Sequence, residues 1–422
     1  MESPINPNVW KVLFNGGIAA LSLASLFSLY HERFDLLSSM DADFGKVNEA
    51  KSDEESEKAI AAIISKIKGE PAQKRGMTRL SAQRHGSTLV RLAALRKDGS
   101  NADTVDTAIK AITTVFGVDA EGHRKLYMLG GYRTLLTTLS EAHRQGRQPL
   151  LEEAAQALYT LTRVDDAEVV LDTDVPMGAE GAYALARSPA AVKMLRVLNP
   201  QSPAAFLNSL TGIFANVCAL RVGAQAIGRG LDGRSGISYF LQLLSHNSQG
   251  VVKNAVLTIR YLVRAGVGHE ELAEEKNVCR LCENFSIESD PIVTNSVLSV
   301  LLVMLDSKNR SSFFSNLTEK TNILSTLFEI WCRAPEKVLR DRVEMIVQLL
   351  LQVPECAEKI RAFLERYRAQ ISERRLKDEE ARRKQLTQMR QSQMMQQMMM
   401  MENMGLGGGM DLGAMMGSDM DY

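Results

Sequence analysis

Aromatic side chains are scarce in this chain, 6 % of 422 residues, and the five cysteines are too few and too odd in number to form a disulfide framework. Cys218, Cys279, Cys282, Cys332 and Cys356 each sit in an apolar helical context, as reduced core thiols do. Net charge is missing as well. Fifty basic residues balance fifty acidic ones, so no global field draws the chain to nucleic acid. The six histidines are scattered without metal-ligand spacing. The single CxxC, Cys279 to Cys282, has no second pair, and on a helix its two thiols share one face, which favours packing. No G-x-S-x-G and no P-loop occur, and the glycines around Gly228 and Gly230 precede no strand–helix phosphate unit. These absences exclude the common enzyme classes and leave no expected cofactor or metal. They predict a binding protein.

One segment lacks charge altogether. Residues 12–30, VLFNGGIAALSLASLFSLY, would form a helix about 28 Å long at about 1.5 Å per residue, close to the roughly 30 Å of a hydrocarbon core. Lys11 closes one end, and His31, Glu32 and Arg33 the other. Trp10 and Tyr30 stand where interfacial aromatics belong. A cleaved signal peptide would want a more basic start and a small-x-small site, and a mitochondrial presequence would be Arg-rich, whereas residues 1–30 contain no Arg. A buried core helix is the remaining alternative. The segment predicts a single-pass anchor behind a short tail, 1–11. Lys11 stands against Arg33, Lys46 and Lys51, a bias that keeps the C-terminal part in the cytosol. The reduced cysteines agree with that side. Asn284, Asn309 and Asn316 begin glycosylation-type triplets, a pattern common by chance.

Residues 31–84 carry an acidic run followed by a basic one and read as a charged linker, with a short amphipathic helix over Glu57 to Lys68. The body, 85–364, is a train of apolar segments at helical spacing with no strand alternation. Paired helices recur, for example GISYFLQLLSHNSQG into VVKNAVLTIRYLVRAG. Second helices are expected to start near Ala190, Gly236, Val278 and Ile323, at steps near those of armadillo and HEAT arrays. One such pair cannot bury its own apolar stripe, and stacked neighbours make the core continuous. The step before Ala190 is longer because an irregular connection, beginning DDAEVVLDTDVPMG, is inserted. Residues 365–397 read as a charged C-terminal helix. The tail at 398–422 is Met- and Gly-rich, and Met389 to Met420 hold twelve of the twenty methionines, soft side chains suited to promiscuous contacts.

GGYRTLLTTL followed by EEAAQALYTLTRV, and GISYFLQLLSHNSQGVVKNAVLTIRYLV, resemble armadillo repeats. The resemblance implies an all-α, armadillo/HEAT-like α-solenoid. Many armadillo proteins clamp extended peptides with a third-helix asparagine. Asn216 falls at that position here, while Thr160 and Tyr261 replace it in other repeats, so a regular asparagine ladder is absent. Tyr159, Asn216, Arg260, Tyr261 and Arg264 are the candidate groove residues on the third-helix face. In size and order of parts the chain resembles the armadillo-repeat receptors of the atypical outer-mitochondrial-membrane protein translocase of trypanosomatids. That resemblance implies precursor proteins or their targeting segments as cargo, other translocase subunits as partners, and cytosolic chaperones as possible contacts. Two alternatives come from the same features: an Hsp70 nucleotide-exchange cofactor, suggested by the Met-rich tail, and an organelle-surface tethering adaptor.

Overall fold

The computed structural model describes residues 38–163 and 179–366, apart from 287, and scattered positions between 368 and 396. The anchor segment with Trp10 and Tyr30, most of the insertion, and the tail at 398–422 lie outside the described residues. The chain divides into two compact units between Thr326 and Leu327. Among the described residues there is no strand, only a β-bridge between Leu231 and Arg234. All else that is regular is helix.

The first unit opens with a helix over residues 38–49 (α1) and α2 (Asp53–Gly69). Local chemistry fixes both ends of α2. The Ser52 hydroxyl accepts from the Glu55 amide, Asp53 to Glu55 place negative charge in the first turn, and Lys66 and Lys68 place positive charge in the last. Ile60, Ile63 and Ile67, three and four apart, are buried on one stripe. Each such side chain contributes about 1.5–3 kcal/mol by leaving water.

Helix triplets follow, each with a third helix of 14 to 16 residues in the first unit. They are α3 (Ala72–Ala82), α4 (Gly86–Leu92) and α5 (Ala102–Phe116); α6 (Ala120–Met128), α7 (Gly131–Arg144) and α8 (Gln148–Leu161); α9 (Glu180–Ala186), α10 (Pro189–Lys193) and α11 (Ala204–Cys218); α12 (Arg221–Gly228), α13 (Gly236–Leu243) and α14 (Gln249–Arg264); and α15 (His269–Leu272), α16 (Glu275–Glu283) and α17 (Pro291–Leu305). The next triplet begins with α18 (Arg310–Lys320) and α19 (Ile323–Arg333). Second helices therefore start at Pro189, Gly236, Glu275 and Ile323, within three residues of the positions read from periodicity. Third helices stack in chain order, α2 on α5, then α8, α11, α14 and α17, and this spine is the core of the unit.

The glycine pair of GGYRTLLTTL has a geometric reason. Gly130 takes φ 72°, a left-handed conformation that favours glycine, and a Cβ on Gly131 would lie 2.2 Å from Leu126 Cδ1. A larger residue at Gly131 would push α6 and α7 apart, and one at Gly130 would be strained by its left-handed backbone. Between repeats, side chains satisfy helix-end carbonyls that the helix itself leaves open. Tyr132 Oη donates to Leu161 O at 3.0 Å, Thr138 Oγ1 to Ala93 O at 2.7 Å, Asn284 Nδ2 to Leu244 O at 2.8 Å, and Asn316 Nδ2 to Ala273 O at 2.9 Å.

One expectation is corrected. The stretch from 38 to 84 is no solvated linker: Met40, Phe44 and Val47 are buried, and α2 packs on α5 as a third helix without its own triplet. Some of its charges are engaged in pairs between helices. Lys66 Nζ meets Asp43 Oδ2 at 2.7 Å and also donates to Ser39 Oγ, and Arg96 Nη1 meets Asp53 Oδ2 at 2.7 Å. The amphipathic helix expected over Glu57 to Lys68 is part of the longer α2. Among the described residues no single helix is long and apolar enough to span a membrane, and the one bent pair that passes, α11 with α12, turns by 119°. Helix α11 is apolar on all sides because α8, α9, α12 and α14 surround it.

In the second unit, α20 (Lys337–Leu350) packs on α21 (Pro354–Arg366), and Phe328 meets Phe363 edge-on with ring centroids 5.9 Å apart. Leu339, Val343, Ile346 and Leu350 form the buried stripe of α20. The described residues from 368 to 396 are helical and exposed.

Candidate protein-binding groove

The third helices that build the core also carry a surface. Where α5, α8 and α11 lie side by side, their N-terminal halves bound an open groove of about 710 Å³. Asp103, Asp106 and Lys110 reach it from α5, Glu152, Glu153 and Gln156 from α8, and Ala205, Phe206 and Ser209 from α11. Gly146, Arg147 and Pro149, at the α7–α8 corner, close one end. The spacing follows from the helix: 103, 106 and 110, or 149, 152, 153 and 156, fall on one face. The opposite stripes, Val105, Ile109 and Ile112 on α5 and Ala154, Leu158 and Leu161 on α8, are buried in the core.

Four carboxylates line the groove against two cations, Lys110 and Arg147. Lys110 Nζ is held by Asp106 Oδ2 at 2.6 Å, a hydrogen bond that raises the ammonium pKa. Asp103 is exposed at the first turn of α5. Glu152 accepts from Gln148 Nε2 at 2.8 Å. Burial pushes the Glu153 carboxyl up from its ordinary value while Lys110 draws it down. Ser209 Oγ donates to Gln156 Oε1 at 2.7 Å across α11 and α8, fixing the groove floor. An acidic channel with a small apolar floor (Phe206, Leu150, Pro149) suits an extended or helical segment rich in Lys and Arg.

The residues singled out by sequence lie further along the third helices, toward their C-terminal ends, and do not form one groove. Tyr261 is 2 % exposed and Arg260 5 %, with the guanidinium carbon 5.7 Å from the Tyr261 ring centroid. Both belong to the packing of α14, and neither can receive a ligand. Tyr159 packs its ring on the next third helix, where a Cβ on Gly212 would lie 2.3 Å from Cε2. Asn216 Nδ2 donates to Thr162 Oγ1 at 3.3 Å, so its amide ties two repeats and does not face a peptide. Arg264 alone is exposed. Two further third-helix asparagines behave alike: Asn254 Nδ2 donates to Asn208 O at 3.0 Å and to its Oδ1 at 3.1 Å.

The acidic groove residues are legible in the sequence only as ordinary solvated charges on helix faces. Their functional signal is three-dimensional, the approach of three helices some 45 to 55 residues apart in the chain. Of the cysteines read as core thiols, Cys218 is buried, whereas Cys279, Cys282 and Cys332 are half-buried. Burial raises the Cys218 thiol pKa well above the usual range and pushes Cys282 up to about 12. Both remain protonated thiols. Among the described residues no group of three or more His, Cys, Asp or Glu is placed to hold a metal ion.

No family model matches the sequence, and no curated protein matches it. Among solved structures, the chain is similar to an engineered protein of the Northeast Structural Genomics Consortium, at TM-score 0.47 and 15 % identity over 66 % of this chain and 97 % of that one. It is also similar to a designed armadillo repeat protein in complex with the peptide (KR)4, at TM-score 0.44 and 15 % identity over 62 % and 98 % of the two chains. A structure concerned with the interaction between cadherin and beta-catenin aligns at TM-score 0.46 and 13 % identity over 75 % and 60 %. At these scores the likenesses carry no argument of their own. The stacked-triplet architecture rests on the helix packing described above.

Proposed function

We propose that this chain is a membrane-anchored receptor that captures Lys- and Arg-rich targeting segments of precursor proteins, at the cytosolic face of the mitochondrial outer membrane. The observation that carries the reading is the carboxylate-lined groove of α5, α8 and α11. Opposite charge steers the encounter and fixes register, and exposed ion pairs give moderate affinity, as suits a receptor that hands its cargo on. The uncharged segment 12–30 supports the anchor, and the Lys and Arg bias around it supports a cytosolic array. Other translocase subunits would meet the anchor helix along Gly16, Gly17 and its serines.

The test is localisation of a C-terminally tagged chain, followed by alkaline carbonate extraction and protease treatment of intact organelles. Mitochondrial signal in the carbonate pellet, with the tag destroyed by protease, is expected. A carbonate-soluble chain would remove the anchor and with it the receptor, and would favour a diffusing chaperone cofactor.

A further inference from the structure

A second cavity opens away from the acidic groove and has the opposite charge. It measures about 510 Å³ and lies between α7 and the α9–α10 corner of the next triplet. Its floor is apolar, from Leu136, Leu185 and Pro189. Arg133, Arg187 and Lys193 stand around it, all three exposed, and among the described residues no carboxylate lines it. Some cations of the unit stand against acids, as in Arg196 with Asp232 at 2.9 Å and Lys253 with Asp290 at 2.9 Å. Among the described residues, Arg133, Arg187 and Lys193 make no ion pair. Arg187 is nonetheless held in place: Nη1 donates to Tyr183 Oη at 2.9 Å, and the guanidinium carbon lies 5.4 Å from that ring centroid. Its remaining donors stay available.

We infer that this cavity docks an acidic segment of a partner protein, with aliphatic side chains on the Leu136–Leu185 floor and carboxylates on Arg133, Arg187 and Lys193. Charge complementarity selects that occupant. Three cations that pair with no described carboxylate make the rim positive, which attracts an acidic ligand. Enclosure argues for a peptide over a membrane surface. Lipid headgroups present a plane, whereas the cations here rim a pocket whose apolar floor only a side chain can reach. The chain thereby has two docking surfaces of opposite sign, an acidic one on its third helices and a basic one at its second helices. A basic client and an acidic partner can then be held together without competing.

The test is fluorescence anisotropy of a labelled peptide of Asp, Glu, Leu and Val with the full chain in neutral detergent, wild type against Arg133→Glu/Lys193→Glu. Both substituted side chains are exposed, and a melting curve checks that the fold is intact. The expected result is a loss of at least about tenfold in the variant, with binding of an Arg-rich peptide unchanged. Equal binding by both proteins would overturn the inference, as would displacement of the peptide by phosphatidylserine vesicles. Binding that emerges only when Asp165, Asp166, Glu168, Asp172 and Asp174 are changed to Asn would also overturn it, because the chain's own acidic stretch would then be the occupant.

Discussion

Replacing Asp103 and Glu152 together by lysine is expected to weaken binding of an Arg-rich targeting peptide by about 10- to 100-fold at low salt. The two carboxylates face the groove from neighbouring third helices, and neither is tied to a cation within it as Asp106 is to Lys110. Reversal changes attraction at two points into repulsion and leaves the apolar floor untouched. Asp103 sits in the first turn of α5, so its loss also costs that helix about 0.3–1 kcal/mol of dipole stabilisation. A melting curve separates that effect from binding. The deficit should shrink when the salt is raised to a level where the Debye length falls to about 3 Å. Isothermal titration with wild type and variant at two salt concentrations reads both effects. Affinity unchanged at low salt would move the client site off this groove.

Tyr132→Ala is expected to give the largest loss of stability of any single change, about 3–5 kcal/mol, with Tyr132→Phe costing about 1 kcal/mol. Tyr132 is 1 % exposed, and its ring lies so close to Gly181 that a Cβ there would be 2.4 Å from Cε1. Its hydroxyl caps the Leu161 carbonyl at 3.0 Å. One side chain of α7 thus joins the end of α8 to the start of α9, the two described flanks of the inserted stretch. Burial, with the Glu180 carboxylate adding to it, raises the phenol pKa, so the donor keeps its proton at neutral pH. In a stacked array, stability is a sum over repeats and the contacts between them. Removing this contact should therefore uncouple the repeats before it from those after it. Urea unfolding followed by circular dichroism should broaden or split for the alanine variant. A single transition displaced by less than about 1 kcal/mol would contradict the role given to Tyr132.

The fold was legible because its rule is local. Apolar residues three and four apart, with glycine or proline at the corners, recur at nearly constant steps, and α13 and α19 begin at the residues that periodicity marks, Gly236 and Ile323. The stretch before Leu89 was misread because composition speaks for the average residue. Three isoleucines on one face of α2 outweigh the acidic and basic runs around them, and the charges pair across helices once the chain folds. The groove was misplaced for a related reason. Tyr261 and Arg260 have the chemistry of a binding surface, yet their position on α14 turns them into the packing. Asn216 has the side chain of a peptide clamp but a nearer acceptor in Thr162. Asp103, Glu152 and Ala205 carry no signal in one dimension. Only the side-by-side stacking of α5, α8 and α11 makes them neighbours.

The most direct measurement of the proposed function is site-specific photo-cross-linking of a radiolabelled Arg-rich precursor to this chain on isolated mitochondria. The photoreactive residue is placed in turn at Ala205, exposed within the groove, and at Gln242, exposed on the second helix α13. The account requires a precursor adduct from Ala205 that an excess of Arg-rich peptide abolishes, and none from Gln242. Adducts of equal yield at both positions, or at Gln242 alone, would contradict capture in the third-helix groove.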